Sequence, residues 1–128
     1  MIYGIGNDII EVDRIKKAIN KNNGFKEKVF SENEIDICEK KANKYQSYAA
    51  RFAAKEAFMK AYGTGWDDGI SWKEIEIINQ ENGKPILKLL NKTNEIVNLK
   101  QNFSFYVSLS HLKDYAIAQV IIEIRENI

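Results

Sequence analysis

The stretch that decides the fold is residues 46–63, QSYAARFAAKEAFMKAYG. Its apolar residues recur at the i, i+3, i+4, i+7 spacing of one face of an α-helix. They are Ala50, Ala53, Ala54, Ala57, Phe58 and Ala61. The pattern predicts a helix from about Gln46 to Tyr62, and Gly63 ends it because glycine tolerates the positive φ of a helix terminus.

The segment before this helix contains one strand and two further helical patterns. Residues 2–10 are typical of a strand with apolar residues on both faces, and an amphipathic helix follows from about Asp13 to Asn22. Ser31 and Glu34 have the spacing of a capping box, in which each side chain bonds the other's free backbone N–H. They predict the start of another helix, which breaks near Asn43.

After Gly69 the period of the pattern changes from helix to strand. We expect a strand at 70–79, a turn at 80–83, a strand at 85–90, a short helix at 92–100, an alternating strand at 103–109, a turn at 111–114 and a last strand at 115–124. The expected class is α+β, a mainly antiparallel sheet of hairpins packed against an early helical segment, in a single domain over 1–128.

Composition excludes several classes of protein. With 45% hydrophobic and 29% charged residues, the chain is ordinary for a globular domain and not for a disordered one. Nineteen basic residues oppose eighteen acidic ones, so the net charge of +1 does not predict nucleic-acid binding. No apolar run approaches the roughly 18 residues of a membrane span, and the first ten residues lack the basic head of a signal peptide. We therefore expect a cytoplasmic protein, with the single cysteine, Cys38, as a small core residue.

Asp8 is the first candidate for chemistry because a carboxylate is costly within an apolar strand unless a cation or several donors compensate. Gly4 and Gly6 precede it and allow backbone or ligand to approach closely. The alternative is a strand-end carboxylate that caps the next helix or pairs with a lysine. The glycine spacing lacks the third glycine of a dinucleotide-binding fingerprint.

Glu56 and Lys60 are the second candidates, four residues apart on the alanine-rich helix. Both lie beside the apolar stripe, where they could line a cleft or form an ordinary i, i+4 surface pair. Arg51 and Lys55 repeat this ambiguity on the other flank of the helix.

His111, the single histidine, follows the alternating strand in the phase of its apolar residues, so it could be a core or a turn residue. Ser108 and Ser110 could donate to a ligand or occupy the wet side of the strand. A Ser-His-Asp triad with Asp114 is a weak hypothesis, because neighbours in a hairpin rarely supply triad geometry. Residues 63–65 and 82–85 are turn sequences by residue type.

Together these segments resemble a known family. The stretches that carry the resemblance are GIGNDIIEVDRI at 4–15, RFAAKEAFMKAYGTG at 51–65 and SLSHLKDYAIAQVI at 108–121, supported by ISWKEIEI at 70–77 and NGKPILKL at 82–89. They are similar, in order and over nearly the whole chain, to the holo-acyl-carrier-protein synthases. Asn7, Leu112 and Asn91 depart from residues that are commoner in that family.

The resemblance implies a 4'-phosphopantetheinyl transferase-like fold, a homotrimer, and coenzyme A as donor substrate. It implies that Asp8 and Glu56 are Mg²⁺ ligands and that Lys60 contacts the phosphates, which makes these three the catalytic residues. The residues that it places along coenzyme A are Arg51, Lys60, Gly63, Asn82, Gly83, Pro85, Ser110 and His111. Magnesium prefers oxygen ligands and typically takes one or two carboxylates together with waters and phosphates, which agrees with this assignment.

The predicted helix from Asp13 carries a basic face. Between residues 14 and 28 six basic side chains stand against one acidic side chain, and Arg14, Lys17 and Lys21 share one side of the helix, with Phe25 just beyond. Such a face would steer an acidic partner, and carrier proteins of this type are acidic helical bundles. The alternative is a solvated helix face.

The sequence therefore predicts a magnesium-dependent enzyme that transfers 4'-phosphopantetheine from coenzyme A to a serine of apo acyl carrier protein, in support of fatty acid biosynthesis. Another magnesium-dependent phosphoryl enzyme, such as a nucleotide hydrolase, could use the same carboxylates. A non-catalytic module that binds coenzyme A is the alternative from a different class. The general base stays open between Glu56 and a metal-bound water.

Overall fold

A computed structural model describes residues 1–63 and 69–126 of the chain. Its strands are β1 (Ile2–Glu11), β2 (Ile75–Asn79), β3 (Pro85–Leu89), β4 (Phe103–His111) and β5 (Tyr115–Ile124). Its helices are α1 (Val12–Asn20), α2 (Phe25–Val29), α3 (Glu32–Glu39), α4 (Lys44–Tyr62) and α5 (Asn91–Lys100), with a 3₁₀ turn at Trp72–Glu74. No helix in these two ranges is long and apolar enough to cross a membrane.

The strands form two antiparallel sheets. β2 and β3 pair as a hairpin, and the larger sheet has the order β1-β5-β4. The predicted hairpin of β4 and β5 is confirmed, with His111 opposite Ala116 next to the turn. β1, however, pairs with β5 from the far end of the chain, from Glu11 opposite Tyr115 to Ile2 opposite Glu123. The α+β class is confirmed. The larger sheet is formed by one long-range pairing, β1 with β5, and one hairpin, β4 with β5.

Helix α4 packs on the inner face of the larger sheet. Its alanine stripe is buried as predicted, and Gly63 ends the helix with φ 85°. The core that it fills includes the inner residues of β5, Ala116, Ala118 and Val120. Only a narrow line of α4 stays accessible after its first turn, through Phe52, Glu56 and Lys60, because other elements cover its remaining sides.

A buried polar network covers the side of α4 that carries Lys55. The capping box of Ser31 and Glu34 is present, and Glu34 also accepts hydrogen bonds from Lys55 Nζ (2.8 Å) and Ile77 N (3.0 Å). Lys55 is fully buried and donates further to the carbonyls of Trp72 and Ile75. The expectation that Lys55 lies on a partly exposed flank is therefore wrong, because α3 and β2 enclose that flank.

Several element boundaries differ from the predictions, and α2 was not predicted. The strand expected over 70–79 begins only at Ile75, since the chain first makes the 3₁₀ turn, and α4 begins two residues before Gln46. The first helix ends at Asn20 rather than Asn22, which has a φ of 51°. Asn91 has a φ of 49°, a left-handed conformation that glycine and asparagine adopt more readily than other residues, so its departure from the family's glycine is tolerated.

Candidate functional site

The site lies where the edge strand β1 meets the accessible line of α4. Lys60 Nζ is 3.1 Å from Asp8 Oδ1 and donates a second hydrogen bond to the Asn7 carbonyl, also at 3.1 Å. The Asp8 side chain is only 16% exposed, whereas that of Lys60 is 56% exposed. The structure thus brings together two side chains that are 52 residues apart in the sequence. Asp8 does pair with a lysine, as the alternative interpretation of Asp8 predicted.

Glu56 lies one helical turn before Lys60 and is half-buried. Burial raises the pKa of Glu56, and the negative charge of Asp8 raises it further, while Lys60 and Arg14 lower it. The two carboxylates are therefore close enough to repel each other. A divalent cation between them would relieve this repulsion.

The oxygen atoms of Asp8 and Glu56 suit Mg²⁺. Asp8 and Glu56 supply two hard oxygen ligands, and the remaining positions around the ion would be open to phosphates and water, as magnesium sites usually require. Within residues 1–63 and 69–126 no group of three or more His, Cys, Asp and Glu side chains is placed to hold a metal. A two-carboxylate site that is completed by substrate fits these residues, and a closed all-protein cage does not.

Two adjoining hollows lie at the edge strand β1. One, of about 420 Å³, is lined by Asp8, Lys60, Asn7, Ile9 and Ile117. The other, of about 260 Å³, shares Asn7 and Ile117 and is lined further by Ser108, Leu109, Ser110, Ala118 and Gln119. The site therefore wraps around β1 and continues onto the outer face of the larger sheet.

Ser110 is exposed at the second hollow, opposite Ile117 of β5. His111 is exposed at the end of β4. It is neither a core residue nor a turn residue, because β4 extends to it and the sheet ends there. Their roles toward coenzyme A remain predictions.

The turn between β2 and β3 lines neither of these two hollows. Gly83 has a φ of 86°, Asn82 Oδ1 accepts from Lys84 N (3.0 Å), and Pro85 opens β3. The turn is exposed and internally bonded, so it presents backbone groups at fixed positions. Of residues 63–65, Thr64 and Gly65 lie outside the described residues.

Arg51 is held inside the protein beside the turn between β2 and β3. Its side chain is buried, 2% exposed, and it donates to the Ile77 carbonyl (3.0 Å), Ser47 Oγ (2.8 Å) and Asn79 Oδ1 (2.7 Å). Asn79 in turn donates to the Gly83 carbonyl (2.9 Å). Arg51 therefore supports the turn from inside the protein, and its role toward coenzyme A stays a prediction.

The basic face of α1 borders the site. Arg14, Lys17 and Lys21 are exposed, and the charge of Arg14 reaches Glu56, as its effect on the pKa of that carboxyl indicates. Lys17 pairs with Asp13 at 2.8 Å, so part of the positive charge on this face is already neutralised.

Phe25 is half-buried, with its ring centroid 6.2 Å from that of Phe52, which itself stacks on Trp72 at 4.9 Å. Sequence reasoning missed the surface contribution of Phe52 and Trp72. Phe52 is four residues before Glu56 on the accessible line of α4, and that helical spacing was the signal that could have found it.

The α+β fold and the site at its edge strand identify the class of protein to which this chain belongs. The model of the 4'-phosphopantetheinyl transferase superfamily matches residues 4–120. A holo-[acyl-carrier-protein] synthase of Ruminiclostridium cellulolyticum is 50% identical over 125 residues, which cover 96% of this chain and 93% of the relative. The chain belongs to the holo-[acyl-carrier-protein] synthase family of phosphopantetheinyl transferases.

Solved structures agree with this assignment. A holo-(acyl-carrier-protein) synthase of Bacillus anthracis, in complex with CoA (3',5'-ADP), superposes with a TM-score of 0.80 at 39% identity, covering 98% of this chain and 99% of that one. The holo-[acyl-carrier-protein] synthase of Neisseria meningitidis superposes with a TM-score of 0.88 at 31% identity, covering 96% and 99%. The resemblance read from the three sequence segments is confirmed.

Proposed function

We propose that this protein transfers the 4'-phosphopantetheine group of coenzyme A to a serine of apo acyl carrier protein in a magnesium-dependent reaction that supports fatty acid biosynthesis. One observation carries the proposal: Asp8 from β1 and Lys60 from α4 meet at an open hollow, with Glu56 one turn before Lys60 and within electrostatic reach of Asp8, on a chain that matches this family along its length. A cytoplasmic location is consistent with a single, buried, unbridged cysteine.

The transfer is a phosphoryl substitution. The serine Oγ attacks the β-phosphorus of coenzyme A, a new P–O bond forms, and the bond to the bridging pyrophosphate oxygen breaks to release adenosine 3',5'-bisphosphate. The serine loses its proton, and the leaving oxygen gains negative charge. Bound magnesium would supply charge neutralisation on the pyrophosphate.

The chain's own residues have separable tasks in this scheme. Lys60 presents a point charge to the phosphates, and its hydrogen bonds to Asp8 and the Asn7 carbonyl hold the ammonium at the edge of β1. Asp8 and Glu56 together would hold the metal. Glu56 is also a candidate acceptor of the serine proton, and water in the site is the alternative.

Coenzyme A is proposed to extend from this hollow. The Bacillus anthracis relative was solved with CoA (3',5'-ADP), which supports coenzyme A as the donor substrate. Ser110 and His111 would face its nucleotide, Asn82, Gly83 and Pro85 would border the adenine, and Gly63 would lie beside the phosphates. These roles follow the family resemblance, and the exposure of the 82–85 turn is compatible with them.

We also propose a homotrimer with sites between subunits. The outer face of the larger sheet exposes an apolar set that a monomer would leave in water: Ile5 (54% exposed), Ile9 (64%), Tyr106 (52%), Tyr115 (49%) and Ile117 (46%). Contiguous apolar patches of this kind mark protein interfaces. Because Ile9 and Ile117 also line the Asp8 hollow, a neighbouring subunit on this face would complete the wall of the site.

The carrier protein is proposed to dock on the face that Arg14, Lys17, Lys21 and Phe25 form. The positive side chains would attract an acidic bundle, and the half-buried ring of Phe25 would add an apolar contact next to them. The electrostatic influence of Arg14 on Glu56 supports docking on this face, because transfer to a bound carrier requires the carrier to lie near the reacting groups.

The test is mass spectrometry of an apo acyl carrier protein incubated with this protein, coenzyme A and Mg²⁺. We expect a gain of one phosphopantetheine group on the carrier and stoichiometric release of adenosine 3',5'-bisphosphate, both lost with EDTA. Breakdown of coenzyme A without the carrier would indicate a hydrolase instead. Binding of coenzyme A that survives EDTA and yields no product would indicate a non-catalytic module.

A further inference from the structure

The strand β1 and the helix α4 approach each other more closely than side chains allow. A Cβ atom added at Gly6 would lie 1.9 Å from the carbonyl oxygen of Ala57, and one added at Gly4 would lie 1.9 Å from that of Ala61. Real Cβ atoms essentially never come within 3.0 Å of such an atom. Both contacts are made to helix backbone, which cannot rotate out of the way as a side chain can.

The distance between the two contacts is nearly the same along the strand as along the helix. Two strand residues advance about 6.6–6.8 Å. Four helix residues advance about 6 Å. Consecutive inward positions of β1 therefore meet carbonyls of α4 that are four residues apart. Asp8 is the next inward position after Gly4 and Gly6, and Glu56 and Lys60 directly precede Ala57 and Ala61.

We infer that Gly4 and Gly6 are positioning residues that set the distance between Asp8 on β1 and the pair Glu56 and Lys60 on α4. This inference rests on the proposed function of those three side chains. The glycines act through the spacing of two backbones and touch neither substrate nor metal. Asp8, with one methylene, has the length that suits this narrow gap.

The size of the effect follows from the contact distance. A carbon and a carbonyl oxygen in contact are about 3.3 Å apart, so an alanine at Gly6 would require the backbones to separate by about 1.4 Å. A misplacement of about 1 Å in a catalytic constellation can lower the rate about 100-fold. A loss of that order is expected for Gly6→Ala, and a comparable loss for Gly4→Ala.

The first experiment separates positioning from loss of stability. Gly6→Ala is compared with Val97→Ala, a cavity variant of a fully buried residue on α5. Mn²⁺ binding is measured by electron paramagnetic resonance with coenzyme A present, and transfer by mass spectrometry, at a temperature where circular dichroism shows both variants folded. We expect Gly6→Ala to weaken Mn²⁺ binding at least tenfold and Val97→Ala to leave it within twofold. Equal effects of the two variants would overturn the inference.

The second experiment uses side-chain length and does not depend on Gly6→Ala folding well. Asp8→Glu in the native background lengthens the carboxylate by one methylene, so it should weaken Mn²⁺ binding at least tenfold while the melting temperature stays unchanged. In the Gly6→Ala background the same change should restore part of the lost affinity, because the longer side chain spans the wider gap. Native Mn²⁺ affinity in the single Asp8→Glu variant would contradict the inference.

A third pair of variants distinguishes this inference from the proposed function. If Asp8→Asn and Glu56→Gln leave Mn²⁺ binding intact, the proposed metal site is wrong. If those two variants abolish binding while folded Gly6→Ala retains both Mn²⁺ affinity and rate, the metal site stands and the positioning role of the glycines is wrong.

Discussion

Replacing Lys55 with methionine should lower the free energy of unfolding more than the removal of any charge from the surface of this protein. Lys55 is 0% exposed, and its ammonium donates to Glu34 Oε1 at 2.8 Å, to the Trp72 carbonyl at 2.9 Å and to the Ile75 carbonyl. Methionine keeps most of the volume but supplies no donor and no charge. The variant therefore leaves Glu34, also 0% exposed, as a buried carboxylate without its cation.

The magnitude follows from that uncompensated charge. Removal of one partner from a buried ion pair typically costs about 3–5 kcal/mol. For a chain of this length each kcal/mol lowers the melting temperature by about 3–5 °C, so a fall of roughly 10–20 °C is expected. Lys60→Met is the matched control, because it makes the same substitution at a largely exposed lysine of the same helix. The ion pair of Lys60 should contribute at most about 1 kcal/mol to stability.

The assay is urea denaturation followed by circular dichroism, at one fixed protein concentration so that any oligomer contributes equally. The double variant Glu34→Gln/Lys55→Met removes both charges, and it should be more stable than Lys55→Met alone by at least about 1 kcal/mol. If Lys55→Met were no less stable than Lys60→Met, or if the effects of the Glu34 and Lys55 changes simply added, the buried ion pair would not be the reason for the stability.

Four further predictions concern function. Asp8→Asn and Glu56→Gln should each lower transfer on the order of a thousandfold with the fold intact by circular dichroism; more than about a tenth of native activity would exclude that residue as a ligand. Since burial and Asp8 raise the pKa of Glu56, the protonated carboxyl persists to higher pH than in an ordinary glutamate. On acidification, Mn²⁺ affinity should therefore begin to weaken at a pH above the range in which an ordinary glutamate titrates. An affinity that stays constant until that ordinary range is reached would refute this prediction. Reversal of Arg14 and Lys21 to glutamate should raise KM for the carrier steeply, leave coenzyme A binding nearly unchanged and flatten the salt dependence of kcat/KM; equal salt slopes with unchanged carrier KM would place docking elsewhere. Mixed Asp8→Asn and Glu56→Gln subunits should regain activity if the ligands come from different chains, and Ile117→Glu should dissociate the trimer in sedimentation; an active native monomer would refute the trimer.

Much of this fold could be predicted because its signals are local. The alanine stripe and Gly63 define α4, and the capping box of Ser31 and Glu34 places the start of α3. The alternation from Phe103 to Leu109 identifies β4, since period-2 patterning depends only on neighbouring residues. The candidate carboxylates could also be named, because Asp8 is unusual in an apolar strand.

The inferences that failed depended on which distant elements cover a surface. Arg51 and Lys55 were read as flanking residues, because helical angles describe one apolar stripe and cannot tell that α3 and β2 enclose a second side. The phase of His111 suggested a core position, but the sheet ends there and leaves it exposed. The strand predicted from residue 70 begins at Ile75, since the chain first makes a 3₁₀ turn whose Trp72 carbonyl accepts from Lys55.

The sequence by itself determined most of the elements, with α2 and the 3₁₀ turn as exceptions, together with their approximate limits and the identity of the groups that carry charge, because each depends on residues within a few positions of one another. The tertiary structure alone decided that β1 pairs with β5, that Gly6 lies against the Ala57 carbonyl, and that Asp8 comes within 3.1 Å of Lys60. These contacts join residues about 50 to 120 positions apart. They form because the inner faces of the sheet and α4 exclude water only when packed together, and local sequence patterns do not specify which distant surfaces meet.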